Sequence, residues 1–143
     1  MKRSDERQEA IRDIVRSQAI RTQNELVQSL RGRGFSCTQA TVSRDVTEMH
    51  LRKLAGGVYV LEEDLNLQLV LSEFVVSVEN SQNLVIVHTQ PETARSVASA
   101  IDDARVAHAL GTVAGSNTVF VAADSTEGAS EISGLVAKLG MTS

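Results

Sequence analysis

Residues 35–63 read FSCTQATVSRDVTEMHLRKLAGGVYVLEE, and the fold of the first half of the chain turns on them. Ser36 or Thr38 can cap a helix, because a short hydroxyl side chain accepts a hydrogen bond from a free amide of the first turn. Val42, Val46 and Met49 then fall at i, i+4 and i+7, which makes one apolar helix face. Gln39, Ser43 and Thr47 form a stripe on another face, flanked by Arg44. Beyond the helix, LRKLAGGVYVLEE reads as two short strands around Gly56-Gly57, a two-residue hairpin signal.

Two more helices precede this stretch. From Asp5 to about Ser17, Ile11, Ile14 and Val15 recur at helical spacing, and Ser4 followed by Asp5 and Glu6 makes a helix start. A second helix begins near Thr22, turns Leu26, Val27 and Leu30 inward, and ends at Gly32 or Gly34. Three short helices and a hairpin make the winged helix-turn-helix pattern, in which the third helix enters the DNA major groove. Arg44 can contact guanine in bidentate fashion and Gln39 adenine, while Ser43 or Thr41 can reach a base or a phosphate. Arg52 and Lys53, before the wing, are placed for phosphates, as are Lys2, Arg3 and Arg7. The competing reading is a small helical domain whose polar stripe is only solvated. The hairpin and the mix of uncharged residues with Arg44 favour DNA.

Charge supports that choice. Residues 1–62 carry eleven Lys and Arg against eight Asp and Glu, a net +3, whereas residues 63–143 carry three against ten, a net −7. A positive half joined to an acidic one points to two domains with different partners, and only the first suits a polyanion. The expected organisation is a DNA-binding domain over 1–62, a linker over 63–68, and a second domain over 69–143. Cys37 is the only cysteine, so neither an internal disulfide nor a cysteine-type zinc cluster is expected. The terminus MKRSDERQEA has no apolar segment, so no signal peptide or membrane span is expected and the cytoplasm is the default.

The second half alternates strand and helix patterns. Strands are expected over 69–79 and 83–89 around Asn80-Ser81-Gln82, followed by a helix opened by Pro91 and ending near Asp102-Asp103. Strands over 106–113 and 118–123 flank Ala114-Gly115-Ser116-Asn117, and a last helix runs from about Thr126 to Leu139. The order ββαββα makes an α+β layer, an antiparallel sheet with two helices on one face. Val75, Val85 and Val87 offer apolar material for a self-interface. No catalytic constellation emerges. His50, His88 and His108 are isolated, and Ser116 lacks the Gly-x-Ser-x-Gly elbow. No phosphate loop or dinucleotide fingerprint is present, so an enzyme is not expected.

The run TQATVSRDV (38–46) resembles the recognition-helix signature of the bacterial arginine repressor family, GVYV resembles its wing, and the similarity extends over nearly the whole chain. The resemblance implies DNA contacts by Ser43 and Arg44, and pairs of domains reading half-sites about one helical turn apart make a palindromic operator the expectation. It also implies a second domain that trimerises, with two trimers stacking into a hexamer around L-arginine as co-repressor. In that family the segment similar to GTVAGSNTVF (111–120) usually has two consecutive aspartates where this chain has Ser116-Asn117, and those carboxylates face the cationic ends of arginine. Asp102 matches a further acidic position, Arg95 stands at a neutral glutamine position, and the loop around Arg105 is one residue short. Loss of one member of a buried charge pair costs about 2–5 kcal/mol. Three readings follow: weak arginine binding through Asp102, Asp103 and backbone carbonyls, a pocket retuned to a neutral or anionic effector, or an effector-free oligomer in which Arg95 pairs with Asp102 of a neighbouring subunit. A small ligand-binding or enzymatic α+β domain with a helical appendage is the outlying alternative.

Overall fold

In the computed structural model, which describes residues 2–141 without the side chains of Lys2, Arg3 and Met141, the chain divides into two compact units, 1–62 and 63–143.

The first unit holds helices α1 (Lys2–Ser17), α2 (Gln23–Gly32) and α3 (Gln39–Glu48), then strands β1 (Leu51–Lys53) and β2 (Tyr59–Leu61). The helix α1 begins before the expected Asp5, so Ser4 lies inside its first turn. Thr22 and Thr38 act as N-caps, each accepting from the amide three residues on. The end of α2 is a Schellman turn: the Phe35 amide donates to Leu30 O and the Gly34 amide to Arg31 O. Gly34 supplies the left-handed residue this turn requires, at φ 91°. Ile11, Ile14, Leu26, Leu30, Val42 and Leu61 close one core, against which Phe35 and Met49 are half-buried.

The hairpin differs from the expected two-residue turn. Leu54 N–H bonds to Val58 O across a three-residue loop, with Gly57 left-handed at φ 88°. That is the three-residue hairpin with a glycine at the left-handed position. Arg52 pairs with Val60 and Lys53 with Tyr59.

The second unit runs α4 (Leu65–Phe74), β3 (Val75–Ser81), β4 (Leu84–Thr89), α5 (Ala94–Asp103), β5 (Ala109–Ala114), β6 (Thr118–Ala123), α6 (Thr126–Met141). The strands form one antiparallel sheet in the order β3-β4-β6-β5. Two expectations need correction. Residues 63–68, expected as a linker, and 69–74, expected as strand, form a turn of 3-10 helix and α4. The unit therefore has a third helix ahead of the ββαββα series. Leu67, Gln68 and Leu71 are its buried positions, spaced for a helix, and strand begins only where valines replace leucines. The helix α5 starts at Ala94, not at Pro91, because Glu92 takes the left-handed conformation at φ 67°.

The sheet's two faces are unlike. Val85, Val87, Val119 and Val121 are fully buried against the helices, so Val85 and Val87 serve this unit's own core, not a self-interface, and Val75 is half-buried. On the other face Ile86, Phe120 and Val113 lie in register, with Phe120 and Val113 46% and 72% exposed.

A half-buried lysine adds a measurable pH dependence. Burial pushes the Lys138 ammonium down to about 8, and Asp64 opposes the shift. Between that value and the unfolded one near 10.5, the unfolded state holds more protons, so stability rises with pH. After allowance for partial exposure the gain is on the order of 1 kcal/mol. Amide exchange in β4 and β6 should slow from pH 8 to 10.5 beyond the chemical baseline, and Lys138→Gln should abolish this excess.

Candidate functional site

Within the first unit, α3 turns Val42, Asp45 and Val46 inward and leaves Gln39, Arg44 and Thr47 exposed, with Ser43 half-buried beside them. The polar stripe read from the sequence is therefore a surface. Arg44 makes no hydrogen bond or ion pair among the described residues, so its five donors are available. Thr41 is half-buried and occupied with the cap. Its amide donates to Thr38 Oγ1 at 3.2 Å, and the two hydroxyls lie 3.0 Å apart.

A buried carboxylate anchors this helix. Arg7 of α1 binds Asp45 through Nε at 2.5 Å and through a terminal nitrogen at 3.0 Å, and Gln8 Nε2 donates to the same carboxylate at 3.1 Å. The Asp45 side chain is 2% exposed. Burial pushes its carboxyl up, but the Arg7 and Gln8 hydrogen bonds and the Arg7 charge outweigh this and hold it below the usual carboxylate range. Arg7 was expected at phosphates, and the structure instead commits it to Asp45. Lys2 and Arg3 have side chains outside the described residues.

On the hairpin, Arg52 sits 3.6 Å from Glu62, both more than half exposed, and Lys53 Nζ lies 5.3 Å from the Tyr59 ring centroid. Both cations are at the surface in loose arrangements that a phosphate could replace at small cost.

In the second unit the expected effector residues separate into two groups along α5. Near its N-terminus a cleft of about 440 Å³ is lined by Glu92, Arg95, Ala114, Gly115 and Ser116. Ser116 Oγ donates to Glu92 Oε1 at 3.0 Å and accepts from the Glu92 amide at 3.3 Å, while Ser116 O accepts from the Ala94 amide. Asn117 flanks the cleft, its Oδ1 accepting from Thr118 Oγ1 and its carbonyl from the Thr89 amide. Asp102 and Asp103 lie at the other end of the helix. Seven residues place Asp102 about 10 Å along the axis from Arg95, and both its oxygens accept from Thr112 Oγ1 at 2.9–3.0 Å. The sequence did not single out Glu92, although it lines the cleft.

Two of the three histidines, His88 and His108, have side-chain partners. His108 is clamped by Asp124 at 3.1 Å and Glu131 at 2.9 Å, and the Asp124 hydrogen bond raises it above its ordinary range. His88 lies 3.5 Å from Glu79. Among the described residues no group of His, Cys, Asp and Glu is arranged to hold a metal ion, and no helix is long and apolar enough to cross a membrane.

Two family models match the chain: "Arginine repressor, DNA binding domain" over residues 1–66 and "Arginine repressor, C-terminal domain" over 71–138. Similar curated proteins carry the name arginine repressor. That of Desulforudis audaxviator is 44% identical over 131 residues, covering 83% of this chain and 86% of the relative. The Clostridium tetani protein is 41% identical over 136 residues, covering 88% and 89%. The Heliobacterium modesticaldum protein is 40% identical, covering 80% and 84%.

Proposed function

We infer that this chain, which belongs to the arginine repressor family and is a DNA-binding, arginine-responsive transcriptional repressor, reads its operator with α3 and the β1–β2 hairpin and takes its effector in the second unit. The observation that carries this reading is the exposed α3 stripe, with Arg44 free, on a helix fixed from behind by Arg7. Gln39, Ser43 and Arg44 reach base edges, Thr41 supports the helix start, and Arg52 and Lys53 meet phosphates. Residues 1–62 are the DNA-binding domain and the rest of the chain is the effector and oligomerisation domain. The protein works in the cytoplasm, where its operator is.

The second unit is proposed to self-associate through the open sheet face of Ile86, Val113 and Phe120, an apolar surface that water disfavours. A trimer-to-hexamer assembly of this chain suits the split effector residues. Arg95, Ser116 and Asn117 contribute from one copy, and Asp102 and Asp103 from a neighbour. Paired DNA-binding domains in such an assembly favour a palindromic operator with half-sites about one helical turn apart.

The test is fluorescence anisotropy on labelled operator DNA with and without L-arginine. Arginine should tighten binding by about 5–150-fold, the usual range of coupling between two sites. An affinity that ignores millimolar arginine would remove the effector half of this reading and leave the DNA half standing.

A further inference from the structure

The geometry points to Glu92 as the carboxylate that recognises the cationic end of the effector, with Arg95 holding the effector's own carboxylate. This inference rests on the effector reading above and adds a residue and a polarity to it.

Three observations carry it. Glu92 and Arg95 line the same cleft, yet among the described residues they form no ion pair with each other, so one negative and one positive group face a common space. Glu92 is then fixed in an unusual way. Its backbone is left-handed at φ 67°, a region in which side-chain-bearing residues are strained and which glycine enters freely. Ser116 Oγ holds that conformation from both sides, accepting from the Glu92 amide and donating to Oε1. The arrangement leaves Oε2 without a hydrogen bond among the described residues. Finally, the β5–β6 turn itself brings no charge to the cleft, only Ala114, Gly115 and Ser116.

A zwitterion with a cationic side chain matches this pair. Its α-carboxylate meets the Arg95 guanidinium, a bidentate partner, and its guanidinium meets Glu92. Arg95 is then an asset for binding arginine, since it faces the anionic end of the ligand and not the cationic one. Ser116 serves as the tether that aims Glu92.

Calorimetric titration of the full chain with L-arginine and with L-citrulline, the neutral isostere, tests this. The wild-type chain should prefer arginine by about thirty-fold or more, the loss typical when a charge pair is deprived of one member. Glu92→Gln should bring the two ligands within about threefold of each other. Arg95→Gln should weaken both alike, because both carry the α-carboxylate. Glu92→Gly provides a control on folding: it relieves the left-handed strain, so the melting temperature should hold or rise while the arginine preference disappears. A Glu92→Gln chain that keeps the wild-type preference overturns this assignment alone. A wild-type chain that binds neither ligand overturns it together with the effector reading.

Discussion

Replacing Arg7 with Met should destabilise the N-terminal unit by about 3 kcal/mol, at the lower end of the cost of breaking a buried ion pair. The penalty falls on Asp45, whose side chain is 2% exposed while Arg7 is 17% exposed. Without the guanidinium the carboxylate keeps only Gln8 as a side-chain partner, and burial would then push it toward protonation. A unit of this size has a stability of only about 3–9 kcal/mol, so the variant should approach unfolding. Replacing both partners with apolar residues, Arg7→Met with Asp45→Leu, should recover most of the loss, since a hydrophobic pair leaves no buried charge. Tyr59 is the sole tyrosine, no tryptophan is present, and its side chain sits in the buried strand β2. Its fluorescence during urea unfolding of the full chain therefore reports on this unit alone. A single-variant loss below about 0.5 kcal/mol would show the pair to be no better than a surface ion pair. Acid should act in the same direction. The Asp45 carboxyl titrates below its unfolded value of 3.8 in the folded state. Its contribution is therefore complete above that value and lost as pH falls through the lower folded one.

This pair also shows how far the sequence could be read. Asp45 falls on the apolar stripe of α3, between Val42 and Val46, and Arg7 precedes Ile11 and Ile14 at i, i+4 and i+7. A charge inside each of two facing apolar stripes was the available signal, but reading the stripes as purely hydrophobic passed over it. Hydrophobic spacing placed α2, α3, β6 and α6 because their buried residues follow one period each. It failed over 65–74, where Leu67 and Leu71 bear the helical period while Leu69 is 62% exposed, and the valines that follow obscured the boundary. The sidedness of β4 was equally ambiguous. Alternation shows that Val85 and Val87 share a face, but only the helices packed on them decide that this face is the interior. The role of Glu92 depends on a backbone conformation and on a hydrogen bond spanning 24 residues, neither of which local sequence encodes.

Operator recognition should depend on Arg44 and Lys53 in different ways. Arg44 extends from the exposed side of α3 with no partner among the described residues, so binding DNA breaks no internal pair. Its neighbour Asp45 is hydrogen-bonded by Arg7, and the Arg44 charge is the smallest of the influences on that carboxylate. Arg44→Ala should weaken operator binding by about 1–3 kcal/mol and relax the preference for the base it reads, because a bidentate contact to a base edge carries that much discrimination. Lys53 begins from a different state, resting over the Tyr59 ring at 5.3 Å. Moving to a phosphate exchanges one weak cation contact for another, so the direct gain is small and the release of condensed counterions dominates. Lys53→Ala should therefore lower the slope of log affinity against log salt by about 1, with operator and scrambled DNA affected alike. Anisotropy titrations across a salt series, on operator and scrambled duplexes, separate the two effects. If Arg44→Ala lowered affinity equally for both duplexes, Arg44 would be a backbone contact and the recognition face of α3 would have to be rotated toward Gln39 and Ser43.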